Sequence, residues 1–134
     1  MAVTALRTYI GPRYKMSPVL TAITIGRGAA VSTTAAGYAN ELVAAEAFAG
    51  FAEEDIDSTG LASGATSIRL VASGRVKLLV VGASAVSDVD ALVYADTSTT
   101  FTLTSTSNSR IGRVSEWITG DYCWVEFKSD ADLN

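Results

Sequence analysis

The sequence predicts an all-β protein: an antiparallel β-sandwich or small β-barrel, jelly-roll-like, with an extended N-terminal arm. Three observations carry that expectation. Apolar and polar residues alternate with a period of two in several segments, most clearly where Arg75 and Lys77 point one way and Val76 and Leu78 the other. Those segments are rich in Val, Ile, Thr and aromatic residues, and clusters of Gly, Asn, Asp and Ser close them. Turn signals recur often enough to give about eight short strands from Val19 onward, the spacing of a sandwich or barrel.

A chain of 134 residues fits one domain. By size it buries roughly two thirds of the surface its unfolded chain exposes, with no need of a metal or disulfide. Residues 1–18 read as the arm and 19–134 as a single β-domain. With 49% hydrophobic and only 18% charged residues, the chain is apolar for a soluble monomer, so a homo-oligomer or larger assembly is expected. The lone Cys123 excludes an internal disulfide and sits in a strand pattern as a small core residue. No apolar run approaches the roughly 18 residues of a membrane span. Arg7, Arg13 and Lys15 interrupt any secretory segment, so a soluble protein made in a cytoplasm is expected.

Met1 to Ser17 follows neither a helical nor a strand period, and Gly11-Pro12 and Ser17-Pro18 push it toward extended conformations. Rings supply contact area and bases supply orientation. Arg7, Tyr9, Ile10, Arg13, Tyr14 and Lys15 are therefore candidate partner-binding residues of an arm that docks along a neighbour. Val19 to Ile25 is a first strand, ended by Gly26-Arg27-Gly28, and Ala29 to Thr33 a second. Between Ala35 and Phe51, helix-favouring alanines compete with the breakers Gly37, Asn40 and Gly50; the reading leans to a strand over Ala47–Ala52, despite the odd spacing of Phe48 and Phe51. Glu53 to Ser67 reads as a loop. Ile68 to Tyr94 is the central stretch, a half-buried strand whose Leu79-Val80-Val81 finish reads as buried on both faces. Thr99 to Thr106 alternates Phe101 and Leu103 against threonines. Arg110 to Ile118 continues, and Thr119-Gly120-Asp121 is a hairpin signal. Tyr122 to Lys128 then sets Cys123, Val125 and Phe127 on one face and Trp124 on the outer one. Trp117 and Trp124 complete the candidate contact residues.

Net charge is −4, unevenly spread. Residues 1–40 hold Arg7, Arg13, Lys15 and Arg27 with no acid; residues 41–67 hold Glu41, Glu46, Glu53, Glu54, Asp55 and Asp57 with no base. Such a head and block either pair between subunits, dock the head on a negative surface, or cluster by chance on a solvated face. The bases are too few and scattered for a nucleic-acid stripe.

Chemistry is sparse. The chain has no histidine, which removes the commonest general base, the Ser-His triad and most transition-metal sites. Gly26-Arg27-Gly28 lacks the spacing and lysine of a phosphate loop. Asp55-x-Asp57-x-Thr59-Gly60 matches the first half of a calcium loop, but Thr66 stands where a bidentate glutamate must close it. Adjacent Glu53 and Glu54 face opposite ways on a strand and make a poor acid/base pair. No catalytic residue, cofactor or metal is expected.

The run Gly74-Arg-Val-Lys-Leu, then Ala85-Val-Ser-Asp-Val-Asp-Ala-Leu-Val-Tyr-Ala-Asp, a threonine-rich strand, and Asn108-Ser-Arg-Ile-Gly-Arg-Val resembles the small head-decoration, or capsid-cement, proteins of tailed bacteriophages. Upstream, Phe48-Ala-Gly-Phe-Ala-Glu-Glu-Asp-Ile-Asp fits that family's order of elements. The resemblance covers about residues 45–127 through short structural motifs; Ser87-Asp88-Val89-Asp90 stands where the family has a glycine and aspartate, and the first 20 residues match none of it. It implies a non-enzymatic protein on the virion's capsid exterior, bound to the major capsid protein and to itself, as a homotrimer or a homodimer, with no nucleic acid or membrane partner. A different class, a carbohydrate- or host-surface-binding module, would use Trp117, Tyr122 and Trp124 as a sugar platform. A tail or head-completion protein is a third.

Overall fold

The computed structural model describes residues 7–129; the first six residues of the expected arm and the last five of the domain lie outside them. The strands are β1 (Tyr9–Pro18), β2 (Thr24–Ile25), β3 (Ala30–Thr33), β4 (Ala39–Glu41), β5 (Ala47–Ala52), β6 (Ile56–Asp57), β7 (Ser67–Val81), β8 (Leu92–Ala95), β9 (Phe101–Thr102), β10 (Ser109–Thr119) and β11 (Tyr122–Lys128). One short 3-10 turn, Val86–Asp88, follows β7. The all-β expectation holds in its barrel form: β7, β11, β10, β8 and β9 close on themselves, because β11 pairs with both β10 and β7. The barrel is mixed rather than purely antiparallel, since β7 and β9 run parallel.

β7 is the spine. Its first half lies between β1 and β5, which continues into β3 and β4. Its second half lies between β11 and β9. The changeover falls at Gly74, with φ of 141°, where β1 bulges at Gly11-Pro12 and passes directly over. A Cβ on Gly74 would sit 3.1 Å from the carbonyl oxygens of Ile10 and Gly11, so a side chain there would press the crossing strand away.

Two apolar clusters follow from this division. Val76, Leu78 and Val80 of β7 fill the barrel with Val93, Ile111, Val114, Cys123 and Val125. At the barrel's upper mouth the filling becomes aromatic: Phe51 packs edge-on to Phe127 at 4.9 Å and to Phe48 at 5.4 Å between ring centres. The second cluster joins Ile68 and Leu70 to Val19, Ile25 and Val31, under the small β2–β6 ribbon. Buried Ser58 pins that ribbon, donating from its hydroxyl to Leu20 O (2.6 Å) and accepting from Ile23 N (3.0 Å).

The strand expected over Ala47–Ala52 is β5, whereas the one expected over Val19–Ile25 keeps only Thr24–Ile25, because the chain turns at Ala22, with φ of 56°; three further features have local causes. Glu53–Ser67 is not all loop, because Ile56–Asp57 finds β2 as a partner. Phe48 and Phe51 share one cluster despite their odd spacing because the β3–β5 register skips Ala49, pairing Ser32 with Phe48 and Val31 with Gly50. Such a bulge turns two side chains three apart onto one face. Leu79 and Val81 are 47% and 58% exposed rather than buried, because only the inner side of the barrel wall is filled.

Candidate interaction surface

The stretch read as a docking arm is extended, but Tyr9–Pro18 lies along its own chain's β7 and not free of the domain. Its pairing residues run from Tyr9 opposite Val76 to Pro18 opposite Ser67. The two residues at its start turn inward. Arg7 stacks over the rings of Phe51 (5.7 Å) and Phe101 (5.4 Å), and its Nε donates to Gly28 O at 2.9 Å. Burial lowers its pKa. The Tyr9 ring meets Phe127 at 6.1 Å and Phe51 at 6.4 Å; burial first, then the Glu53 charge, pushes its phenol pKa well up. Arg7 and Tyr9, both half-buried, therefore close the aromatic mouth of the barrel. No local pattern marks this role, because their ring partners lie some forty or more residues away.

Further along, the side chains face solvent. Ile10 is 47%, Tyr14 43% and Met16 61% exposed. Arg13 is exposed and Lys15 half-buried. The Arg69 guanidinium lies 4.1 Å from the centre of the Tyr14 ring, a cation–π contact that holds the ring in place at the surface. Among the described residues β1 pairs with β7 alone, so its other edge is unpaired.

The two tryptophans part company. Trp124 is half-buried on the outer barrel wall, with Arg75 at 5.8 Å from its ring and Arg75 Nη2 3.6 Å from Glu116. Lys77 approaches Tyr122 similarly at 5.5 Å. Trp117 pairs in register with inward-facing Cys123, and its Nε1 donates to Gly120 O at 2.8 Å, closing the hairpin. Cross-strand partners share a face, so Trp117 does not join Tyr122 and Trp124 in one platform. The register shift between Val114 and Glu116 makes this so, and no local pattern announces it.

Several of the remaining polar groups brace the backbone. Asp57 Oδ1 accepts from Thr59 N (2.9 Å); the Thr59 hydroxyl first, and then this backbone N–H, lower its pKa, and Asp55 Oδ1 accepts from Arg27 N (2.7 Å). Of the half calcium motif, Asp57 thus braces a local turn and Asp55 ties the loop to the backbone at Arg27. Among the described residues no group of three or more His, Cys, Asp or Glu could hold a metal. A shallow groove of about 260 Å³ on β10 and β11 is lined by Asp90, Arg113, Ser115, Glu126 and Lys128, with Arg113 donating to Asp90 O at 3.1 Å. Its charges alternate in sign, and Ser115 has no imidazole anywhere in the chain to activate it. Buried Cys123 has its thiol pushed up to about 11 by desolvation and by nearby Asp88, the opposite of an activated nucleophile.

A scan against protein-family models returns no match, and a search of curated proteins returns none either.

Proposed function

We propose that this protein is a non-enzymatic cement, or head-decoration, protein that sits on the outside of a tailed-phage icosahedral head. There it stabilises contacts between major capsid subunits. The observation that carries the reading is β1: ten residues of edge strand, with exposed Ile10, Tyr14 and Met16 beside the bases Arg13 and Lys15. An unpaired edge with alternate apolar side chains suits addition to an edge of a neighbouring protein. The rest of the molecule suits a rigid carrier for that strand, and many modest contacts repeated over a shell add through multivalency. The motifs between about residues 45 and 127 that resemble phage decoration proteins point the same way.

Because β1 is part of the sheet, removing residues 1–17 would strip a strand from β7 and confuse folding with docking. Substitution is the cleaner test. Heads assembled without this chain are mixed with the purified protein and imaged by cryo-EM. The wild-type chain is expected at repeating positions on the outer surface, and the triple variant Ile10→Ser, Tyr14→Ser, Met16→Ser at much lower occupancy with an almost unchanged Tm. Bare heads in the presence of excess wild-type protein would overturn the function. Full decoration by the triple variant would overturn the role of β1.

A further inference from the structure

β10 carries two irregularities, one with each neighbour. Its register against β8 shifts between Arg110 and Gly112, and its register against β11 shifts between Val114 and Glu116. Bulges re-aim side chains and gather beside functional sites. Here they bracket Gly112–Val114, and the outer wall is hollowed along that stretch. The groove of about 260 Å³ adjoins a second of about 170 Å³ lined by Leu92 and Arg110, with Gly112 and Arg113 common to both. Gly112 contributes bare backbone, because a Cβ there would meet Glu126 O. At one end Asp90 holds a left-handed backbone, with φ of 74°. Its N–H donates to Val114 O, and Arg113 Nη1 donates to its carbonyl at 3.1 Å.

The register orders the charges along this hollow. Arg110 lies opposite Tyr94, and Lys128 follows Phe127, the partner of Gly112, so these two bases stand at one end. Arg113 and Glu126 are cross-strand partners in the middle, and Asp90 and Ser115 stand at the other end beside Val114. Asp90, Arg113, Glu126 and Lys128 are exposed and Arg110 is half-buried; among the described residues none of the five joins an ion pair. Three bases against two acids leave an excess of one positive charge. Glu116 on the same strand does not offset it, because it is paired with Arg75.

These features select a ligand. One positive charge in excess suits a monoanion, and the end with Arg110 and Lys128 receives it. The rest of the hollow offers acceptors, the carboxylates of Asp90 and Glu126 and the Ser115 hydroxyl, which suit a ligand rich in hydroxyl groups. An ammonium group is disfavoured at the Asp90 end, because the Arg113 guanidinium already lies against that residue. The larger groove falls short of the about 300 Å³ at which drug-sized sites begin, so it has room for a single ring. No aromatic residue lines either groove, so recognition here is polar, unlike that of an aromatic platform. We propose that this hollow binds an acidic sugar, a ring of the hexuronate kind. Its carboxylate lies on Arg110 and Lys128, and its hydroxyls donate to Asp90 and Glu126. Free sugars and acidic polysaccharides share that unit. The site is built from β8, β10, β11 and Asp90, and none of those strands pairs with β1, so it does not depend on docking through β1.

The test is titration of the full chain with sodium glucuronate at neutral pH and constant ionic strength, followed by proton–nitrogen correlation NMR. Amide shifts are expected at Asp90, Arg113, Ser115 and Lys128, with a Kd on the order of 1 mM, as a small polar ligand in an open groove implies. Glucose, acetate and glucosamine are each expected to bind about tenfold more weakly or worse. Arg110→Gln with Lys128→Gln is expected to bring glucuronate down to the level of glucose. Asp90→Asn keeps a residue that tolerates the left-handed backbone. It is expected to weaken glucuronate several-fold and to strengthen acetate, because losing an acid raises the positive excess; a distorted groove would weaken both. Tighter binding of a galacturonate tetramer than of galacturonate assigns the site to a polysaccharide, and equal binding of the two assigns it to a free sugar. The proposal is overturned by an absence of shifts at about 20 mM glucuronate, or by shifts confined to other residues. It is overturned equally by acetate or glucosamine binding as well as glucuronate, or by unchanged binding in the Arg110 and Lys128 variant. Lys128 is exposed, so Lys128→Gln alone decides the matter if the double variant fails to fold.

Discussion

The two halves of β7 are one strand in two settings. From Ser67 to Ser73 it lies in an open sheet, with β1 along one side and β5 along the other. From Gly74 to Val81 it is a stave of a closed barrel. Closure removes strand edges, so the second half can attract a partner only through outward side chains such as Leu79 and Val81. The open half ends in β1, whose backbone edge remains available and whose flanking Pro12, Pro18, Arg13 and Lys15 limit what can pair there. The same alternating pattern thus gives a closed wall in one half and an open edge in the other. If that division is real, substitutions in the barrel should cost stability and leave docking to follow folding, whereas substitutions along β1 should do the reverse.

The largest effect is expected at Gly112. It faces both β8 and β11, and a Cβ there would come 1.9 Å from Glu126 O. Nothing flexible lies in the way, only backbone, so the wall must part. Gly112→Ala is expected to cost at least about 4 kcal/mol, read from denaturant unfolding. A cost under about 1 kcal/mol would mean that barrel closure tolerates a gap, and the contrast between closed and open halves would fall.

Phe51 tests how the halves are joined. Its ring touches Phe48, Phe127, Phe101 and Tyr9 and lies under Arg7. Phe51→Ala is expected to lose about 3–5 kcal/mol in one cooperative transition. Two separate transitions by near-UV circular dichroism and far-UV signals would show the halves melting independently.

Alkaline pH sharpens the same point within the barrel. Cys123 and Tyr9 are both held neutral by burial, their pKa values raised in the folded state. The unfolded thiol ionises near about 8.5, whereas the folded one holds its proton to about 11. Across that window the folded state binds more protons, so stability falls as pH rises. Below about pH 8 the contribution is fully present. Chemical unfolding from pH 7 to 11 is expected to show the decline, and Cys123→Ala to make it shallower. An unchanged slope in that variant would assign the decline elsewhere.

How much of this could be read from the residues depended on whether the partner strand lay in the same local pattern. β11 was legible because Cys123, Val125 and Phe127 alternate against Tyr122, Trp124 and Glu126 without a break, and all three of the first set are buried. β1 was not, because Gly11-Pro12 is a bulge whose purpose is visible only with Gly74 beneath it. Phe48 and Phe51 argued against a strand until the skip at Ala49 was known. Leu79-Val80-Val81 misled for a different reason: an apolar run fits a two-sided burial, and only the uncovered outer wall shows that it has one side wet. Of the candidate contact residues, Ile10, Arg13 and Tyr14 stand out as aromatic, apolar or basic groups near prolines and are exposed, while Arg7 and Tyr9 share that composition and pack against the aromatic core. Composition marks such residues as sticky but cannot tell which surface they stick to.

The smallest expected change in stability is at Tyr14, and it bears most directly on the division between the halves. Its ring is 43% exposed and meets the Arg69 guanidinium at 4.1 Å. A cation–π pair at an exposed site is worth about 0.5–1 kcal/mol, so Tyr14→Ala should lower Tm only slightly, far less than Phe51→Ala. If β1 is the docking strand, the same substitution should still reduce head occupancy several-fold at subsaturating protein, because an exposed ring that contributes little to folding is free to contribute to an interface. Arg69→Ala should repeat the small stability loss while freeing the ring. A Tyr14→Ala protein that melts as early as Phe51→Ala would make β1 part of the folding core. One that keeps both its Tm and its full occupancy would move the contact surface off the open half and onto the barrel wall.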